Sequence, residues 1–439
     1  MAFLLALSFL TYFDRVCITR AQNEIKRDLA IDDVQMGLVM GAFWLAYALF
    51  EIPGGWLGDR YGARSALMRV VLMWSLFTAL SGAATGLVGL LAFRFLFGVG
   101  EAGAYPNMAR VQSTWLPASD RAWAGGALWL AARWGGAFSP VIFAAMAGWF
   151  DSAGVREGMA AVPLIGPALA EFKSWRLSFF LAGLLGVAWC VAFVPWFRDD
   201  PADKPGVNAA ELRLIREGRS ASKADSHDMP ASAWLDLLSS VSLWAMAALY
   251  LCGNIGWSFF VSWMPKYFEE VHGIPFKQSD DPFKQPLFYG GLSCLAGGLL
   301  CDLLLRTAGP RWKRVVRAAF PVAGLATAAV AMYCVRFTAD PWTATVLICV
   351  AGGAYDFGQG ANWASIVDIG GRYAGVATGF INMLSNLANA VSPVLGAYVF
   401  GHYGWGALFA VYAGSFLAAA SMWLFIDPTR PFHAEEKAA

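Results

Sequence analysis

Gly54-Gly55-Trp56-Leu57-Gly58-Asp59 closes an apolar run and opens into the basic turn Arg60-Tyr61-Gly62-Ala63-Arg64. In outline the stretch returns as Gly297-Gly298-Leu299-Leu300-Cys301-Asp302, again after an apolar run and ahead of basic residues (Arg306, Arg311, Lys313, Arg314). A second echo accompanies it: Ala137-Phe138-Ser139-Pro140-Val141-Ile142 against Ala390-Val391-Ser392-Pro393-Val394-Leu395. Asp302 follows Asp59 by 243 residues and Pro393 follows Pro140 by 253, so the offsets nearly agree. One unit therefore occurs twice, in the same direction. A chain that repeats itself across a membrane usually holds its site between the repeats, near the bilayer centre.

Composition supports a membrane setting. Of 439 residues, 58% are hydrophobic and 14% charged, too little polar surface for one soluble core. Apolar stretches of the ~20 residues that a helix needs to cross hydrocarbon recur about twelve times. They fall near 2–22, 35–58, 65–86, 88–112, 122–148, 175–197, 239–268, 286–305, 315–336, 341–367, 373–400 and 405–426. Barrel strands would alternate in polarity and be half as long, so the expected class is all-α and integral to the membrane. The opening run reads as the first membrane helix; a signal peptide would carry a basic start and a small-residue cleavage site.

Lys and Arg set the expected orientation. With the 59–64 turn inside, nineteen basic residues lie on its side, including Arg110, Arg121, Lys223, Arg372 and Lys437; ten lie opposite, including Arg27, Arg156, Arg176, Lys277 and Lys284. That excess puts the turn and both termini in the cytoplasm, with the chain in the plasma (inner) membrane. The net charge of +1 offers nothing for nucleic acid. Seven scattered cysteines read as core residues, and the four histidines fall in loops or the tail, so neither metal nor cofactor is expected.

The layout is a first bundle (1–197), a polar linker (198–238), a second bundle (239–426) and a short tail (427–439). Within the linker, 211–217 suits a short surface helix. Trp234, Leu235, Leu237 and Leu238 suit a turn lying on the membrane face.

Charges inside spans cost about 2.5–3.5 kcal/mol each on insertion scales. Asp14, Arg15, Arg94, Glu101 and Arg133 incur that cost clearly, and Asp356 less so. Arg94 and Glu101 are seven apart, two helical turns on one face, so Arg94 is placed to tune a proton on Glu101; a static packing network is the competing reading. Asp14 and Arg15 are adjacent and point to different faces, which argues against a mutual pair. Arg15 offers a planar fork to a carboxylate, or else snorkels outward. Arg133 precedes Pro140 by seven residues as Asn386 precedes Pro393, so the repeat puts both at one depth in opposite halves. Asn382 and Asn389 extend the polar stripe around Asn386. Arg133 lacks a carboxylate on its own helix; a substrate, Glu101 or Asp14 would serve it, or a structural ion pair. Trp257 and Trp263 are the candidate sugar-stacking rings.

Gly55 to Arg64 resembles the loop motif of the major facilitator superfamily. Arg94-(x)3-Gly98-x-Gly100-Glu101-Ala102-Gly103-Ala104-Tyr105-Pro106-Asn107 resembles its fourth-helix motif. Tyr12-Phe13-Asp14-Arg15, Trp115-Leu116-Pro117, Trp175-Arg176-Leu177-Ser178-Phe179, Trp263-Met264-Pro265-Lys266-Tyr267, Asp368-Ile369-Gly370-Gly371 and Gly379-Phe380-Ile381-Asn382-Met383 narrow the resemblance to the anion:cation symporter family. That resemblance implies about twelve helices in two pseudo-symmetric six-helix bundles and alternating access. It also implies that Arg15 holds a substrate carboxylate and that Asp14 and Glu101 carry protons with Arg94 nearby. Tyr12, Asn382 and Asn386 would line the site. It accounts for neither Arg133 nor Asp356. Gly253 and Asn254 stand where glutamate carriers have a second arginine, which counts against an amino-dicarboxylate.

The function expected is a proton-coupled symporter, not an enzyme. It would import an organic anion, a sugar acid foremost, working as a monomer with protons and the lipid bilayer as its other partners. Asp59, Arg60, Gly62, Arg64 and Asp302 form its gate. An uncoupled exchanger or facilitator, and a receptor on a carrier fold, are the alternatives.

Overall fold

A computed structural model describes residues 1–163, 171–216, 229–274 and 281–433. Lys223, Lys277 and Lys437, and with them parts of the linker and tail, lie outside the described residues. The described residues are helical with short turns. We number the helices α1 (Ala2–Leu29), α2 (Asp33–Tyr61), α3 (Ala63–Gly82), α4 (Leu87–Glu101), α5 (Ala104–Trp115), α6 (Arg121–Asp151), α7 (Ala153–Ala160) and α8 (Ser174–Trp196). The short α9 (Ala209–Arg216) and α10 (Ala231–Ser239) follow, then α11 (Val241–Ser258), α12 (Met264–His272), α13 (Asp281–Ala308), α14 (Lys313–Val335), α15 (Pro341–Phe357), α16 (Gln359–Gly370) and α17 (Ala374–Ser421).

Among the described residues nine stretches are long and apolar enough to cross a bilayer, or ten if α10 and α11, bent by 55°, count as one. Polar caps and glycines set the breaks. Asp32 and Gln35 form a reciprocal capping box that starts α2. Gly62, at φ 86°, turns the chain between α2 and α3, a conformation that costs glycine nothing. Gly404, at φ 75°, divides α17.

The structure adds breaks and kinks to the expected spans. The span at 88–112 is two helices joined at Ala102–Gly103, and 341–367 is broken at Gly358. The spans at 373–400 and 405–426 are two helices that meet at a kink at Gly404, whose φ of 75° is non-helical. Span seven carries a π-helical turn at Phe259–Trp263 between α11 and α12.

Within the first half of the chain α1 lies along α6, α2 against α4, and α3 against α4 and α8. Within the second half α11 lies along α17, and α15 against α13 and α14. Among the described residues the most extensive pairings between the halves are α6 with α13, α2 with α17, α6 with α16, and α5 with α17. Small residues make the joins close. A Cβ on Gly55 would sit 2.2 Å from the Gly375 carbonyl oxygen, and one on Gly298 2.3 Å from that of Ala122. Towards the opposite face the same helices expose Leu38, Leu45 and Leu49 of α2, Val141 of α6, and Val391 and Val394 of α17.

Candidate functional site

The joins reach the face that carries the 59–64 turn. Asp59, in the last turn of α2, accepts from the backbone N–H groups of Gly375 (3.2 Å) and Val376 (2.8 Å) at the start of α17. Asp302 on α13 does the reciprocal thing, accepting from the Trp123 N–H (2.8 Å) in the first turn of α6. Each repeat thus supplies a carboxylate to the N-terminus of the other half's helix, where unpaired N–H groups and the helix dipole favour negative charge. Arg110 approaches Asp59 at 3.7 Å and donates to the Arg372 carbonyl; Arg317, fully buried, pairs with Asp302 at 2.9 Å.

The rest of the basic turn faces its own half. Arg64 donates through its guanidinium to the Val194 carbonyl, and its N–H donates to Asp199. Burial pushes the Asp199 carboxyl above its ordinary value of 3.8, against the pull of that N–H. Arg60 lies over the Trp56 and Tyr61 rings. Asp368, absent from the sequence-based set, gathers Arg121 (2.5 Å), Lys313 (3.0 Å) and Arg317 (3.7 Å).

The charged residues of the spans lie deeper: Glu51 is eight residues from Asp59 and Arg133 ten from Trp123, about 12–15 Å in at 1.5 Å per helical residue. Arg15 is not among headgroups. Its Nη2 and Nε both donate to Glu101 Oε1, at 2.6 and 3.2 Å. The Arg15 side chain is 10% exposed and Glu101 fully buried. Tyr12, Phe43, Trp44 and Tyr47 surround the guanidinium with ring centroids at 4.5–5.2 Å, within cation–π range. Asp14, buried and on the other face of α1 as adjacency requires, is beside the Trp74 indole; neither of its oxygens is in a well-formed hydrogen bond. Arg94 is buried over the Phe43 and Phe97 rings.

Of the partners open to Arg133, the structure shows an ion pair with another helix. The partner is Asp356 of α15, held at two points: Nη2–Oδ1 2.7 Å and Nε–Oδ2 3.1 Å. The guanidinium also stacks on Trp257 at 3.9 Å. Trp257 is covered on that face by Arg133, and Trp263 packs beside Phe400, Trp405 and Gly396 within the second half. Asn386 likewise crosses between halves, donating to Glu51 Oε2 of α2 at 3.0 Å; Asn389 donates to Asn386. Asn382 borders the same carboxylate, while Asn254 bonds within the second half, to Ser385 and Tyr355.

Glu51 is the residue that sequence reasoning missed. A lone acid in the apolar run 35–58 carries the same signal as Glu101, but the repeat motif that begins three residues on overshadows it. Tyr105 was legible only as part of a motif; here it bonds Ser8 and stacks on Trp129 below Tyr12. Among the described residues no group of His, Cys, Asp and Glu could hold a metal.

The comparisons with known proteins agree with this architecture. A probable sulfoacetate transporter of Cupriavidus necator is 30% identical over 425 residues, 96% of this chain and 91% of that protein. A probable galactarate/D-glucarate transporter of Bacillus subtilis is 28% identical, over 96% of this chain and 90% of its own length. The crystallised proton:xylose symporter XylE superposes with a TM-score of 0.71 at 13% identity, over 98% of this chain and 95% of its own. The family model described as Major Facilitator Superfamily matches residues 4–393. The chain is a multi-pass, all-α membrane protein, and it belongs to the major facilitator superfamily.

Proposed function

We propose that this protein is a proton-coupled symporter that imports an organic anion, a sugar acid foremost, by alternating access. In this reading it has twelve membrane helices in two bundles (1–197 and 239–426), joined by the linker 198–238, and a tail from 427. The Asp59 face and both termini are cytoplasmic, by the excess of Lys and Arg on that side, and the membrane is the inner (plasma) membrane. The halves are then joined inside and apart outside, an outward-open arrangement.

One observation carries the reading: deep in the spans the Arg15 guanidinium, 10% exposed, is ion-paired to the buried Glu101. A buried guanidinium keeps one carboxylate partner or takes another. When Glu101 gains a proton its hold weakens, and the carboxylate of an incoming anion replaces it on the Arg15 fork. Tyr12, Tyr47 and the α17 residues Asn382 and Asn386 supply donors to the cargo's hydroxyls. Asp14 takes a second proton, Arg94 balances the two acids, and Arg133 faces the cargo once Asp356 lets go. Closure outside and release of Asp59 and Asp302 inside, with Arg60, Gly62 and Arg64 as the hinge turn, deliver anion and proton to the cytoplasm. The relatives named for sulfoacetate and for galactarate/D-glucarate support an acidic cargo.

The test is uptake into liposomes holding the purified monomer, with D-glucarate and sulfoacetate as probes. Wild type accumulates a probe when the bath is acidic and alkalinises the bath as it does so. Glu101→Gln exchanges labelled probe across the membrane but does not concentrate it, and Arg15→Lys loses both. Accumulation by Glu101→Gln equal to wild type sinks the proton role.

A further inference from the structure

Glu51 has no task in that scheme, yet it is fully buried at the join of the two halves. Its Oε2 accepts from Asn386, while Oε1 is buried with no well-formed partner. Its own carbonyl is packed against Gly379 so closely that a Cβ there would sit 2.4 Å away. The carboxyl is therefore clamped between α2 and α17. The groups facing it are Arg15 from α1, Tyr47 from its own helix, and Asn382 and Asn386 from α17.

The balance of charge and its place at the join single out Glu51. At mid-depth, Arg15, Arg94 and Arg133 stand against Asp14, Glu51, Glu101 and Asp356. Arg133 is matched by Asp356 and Arg15 by Glu101. Arg94 acts on both Asp14 and Glu101. Asp14 and Glu51 are then the two mid-depth acids without an ion pair among the described residues, Glu51 is the one clamped between the halves, and an unmatched buried charge is costly. An anion docking on Arg15 adds a second negative charge beside it, in surroundings where repulsion is poorly screened.

We propose that Glu51 is a proton carrier in its own right, the acid that ties proton uptake to the joining of the two halves. This rests on the transport reading above. As the anion arrives, water on the open side gives Glu51 Oε1 a proton, and an O–H bond forms. Oε2 of the neutral acid still accepts from the Asn386 amide N–H, so the contact survives protonation while the charge is removed. When the Asp59 face opens, the O–H bond breaks, the proton passes to water there and the carboxylate returns. One proton crosses per cycle, with no other reactant.

The experiment uses the full chain in liposomes and has two arms. Infrared difference spectra between acid and neutral pH, with no substrate, report protonated carboxyl groups; Glu51→Gln removes one such band, and Asn386→Ala shifts that band without removing it. Counting protons and D-glucarate together, Glu51→Gln carries one proton fewer per anion than wild type, while Glu51→Asp restores the count. An unchanged band set in Glu51→Gln overturns the proposal. If Glu51→Gln does not fold, an unshifted spectrum in Asn386→Ala overturns it instead. Absence of transport in wild type counts against the transport reading, and the infrared arm still decides whether Glu51 titrates.

Discussion

Arg133 of α6 and Asp356 of α15 lie 223 residues apart in sequence and grip each other at two points, 2.7 and 3.1 Å, across the join between halves. Neither has a charged partner on its own helix. A buried pair is weak evidence for net stability, because desolvating two charges offsets most of their attraction. Breaking it from one side is different, since the survivor is left buried and unmatched.

Asp356→Asn therefore lowers the melting temperature sharply, by a loss of about 3–5 kcal/mol. The double variant Arg133→Met with Asp356→Leu recovers most of that loss. Thermal unfolding of the purified variants in one detergent decides it: a double variant as unstable as the single one refutes the account.

Asp59 contributes to closure of its face through the α17 N-terminus. Charge-assisted hydrogen bonds are worth ~1.5–3 kcal/mol, and tenfold in population corresponds to about 1.4 kcal/mol. Asp59→Asn thus opens that face about tenfold more often. Cys301 reports it: fully buried, it packs with Ala122 of α6 and with Ala361 and Ala364 of α16. Its alkylation by N-ethylmaleimide, followed by mass spectrometry, speeds up by about that factor in Asp59→Asn.

Gly55→Ala acts on the same join by steric means. The new methyl carbon would meet the Gly375 backbone oxygen at 2.2 Å, and backbone cannot swing aside as a side chain can. The helices must part, so Cys301 again becomes reactive. Gly37→Ala and Gly41→Ala, on the same helix with nothing within 4 Å, leave Cys301 protected.

A pH effect is expected at the opposite face. Asp340 caps α15, accepting from the Thr343 N–H (2.7 Å) and hydroxyl (2.6 Å), and these bonds hold its carboxyl below the ordinary 3.8. A depressed carboxylate contributes stability above its unfolded value and loses it as pH falls through the folded one. Asp340→Ala is therefore less stable than wild type at neutral pH, and the gap closes below about pH 4. Melting curves of both proteins across that range check the sign.

Much of this was legible along the chain. Composition and span length require membrane helices, and the repeated Gly-rich turn marks Asp59 and Asp302 as counterparts. Charges inside apolar runs single out Arg15, Glu101 and Arg133, since burial there is costly for any residue without a partner. Adjacency alone separates Asp14 from Arg15, and the observed faces agree.

Partners were not legible, because a helix pattern fixes which face a residue occupies and not what stands opposite. Arg133 meets Asp356, Arg15 meets Glu101, and Glu51 meets Asn386 only once helices distant in sequence are packed. The chain by itself determined the class of fold and the depth of its charges, through periodicity and the cost of placing charge in hydrocarbon. Packing between the halves decided which charges cancel and which acids are left over, because electrostatic pairing acts over a few ångströms of space and takes no account of distance along the chain.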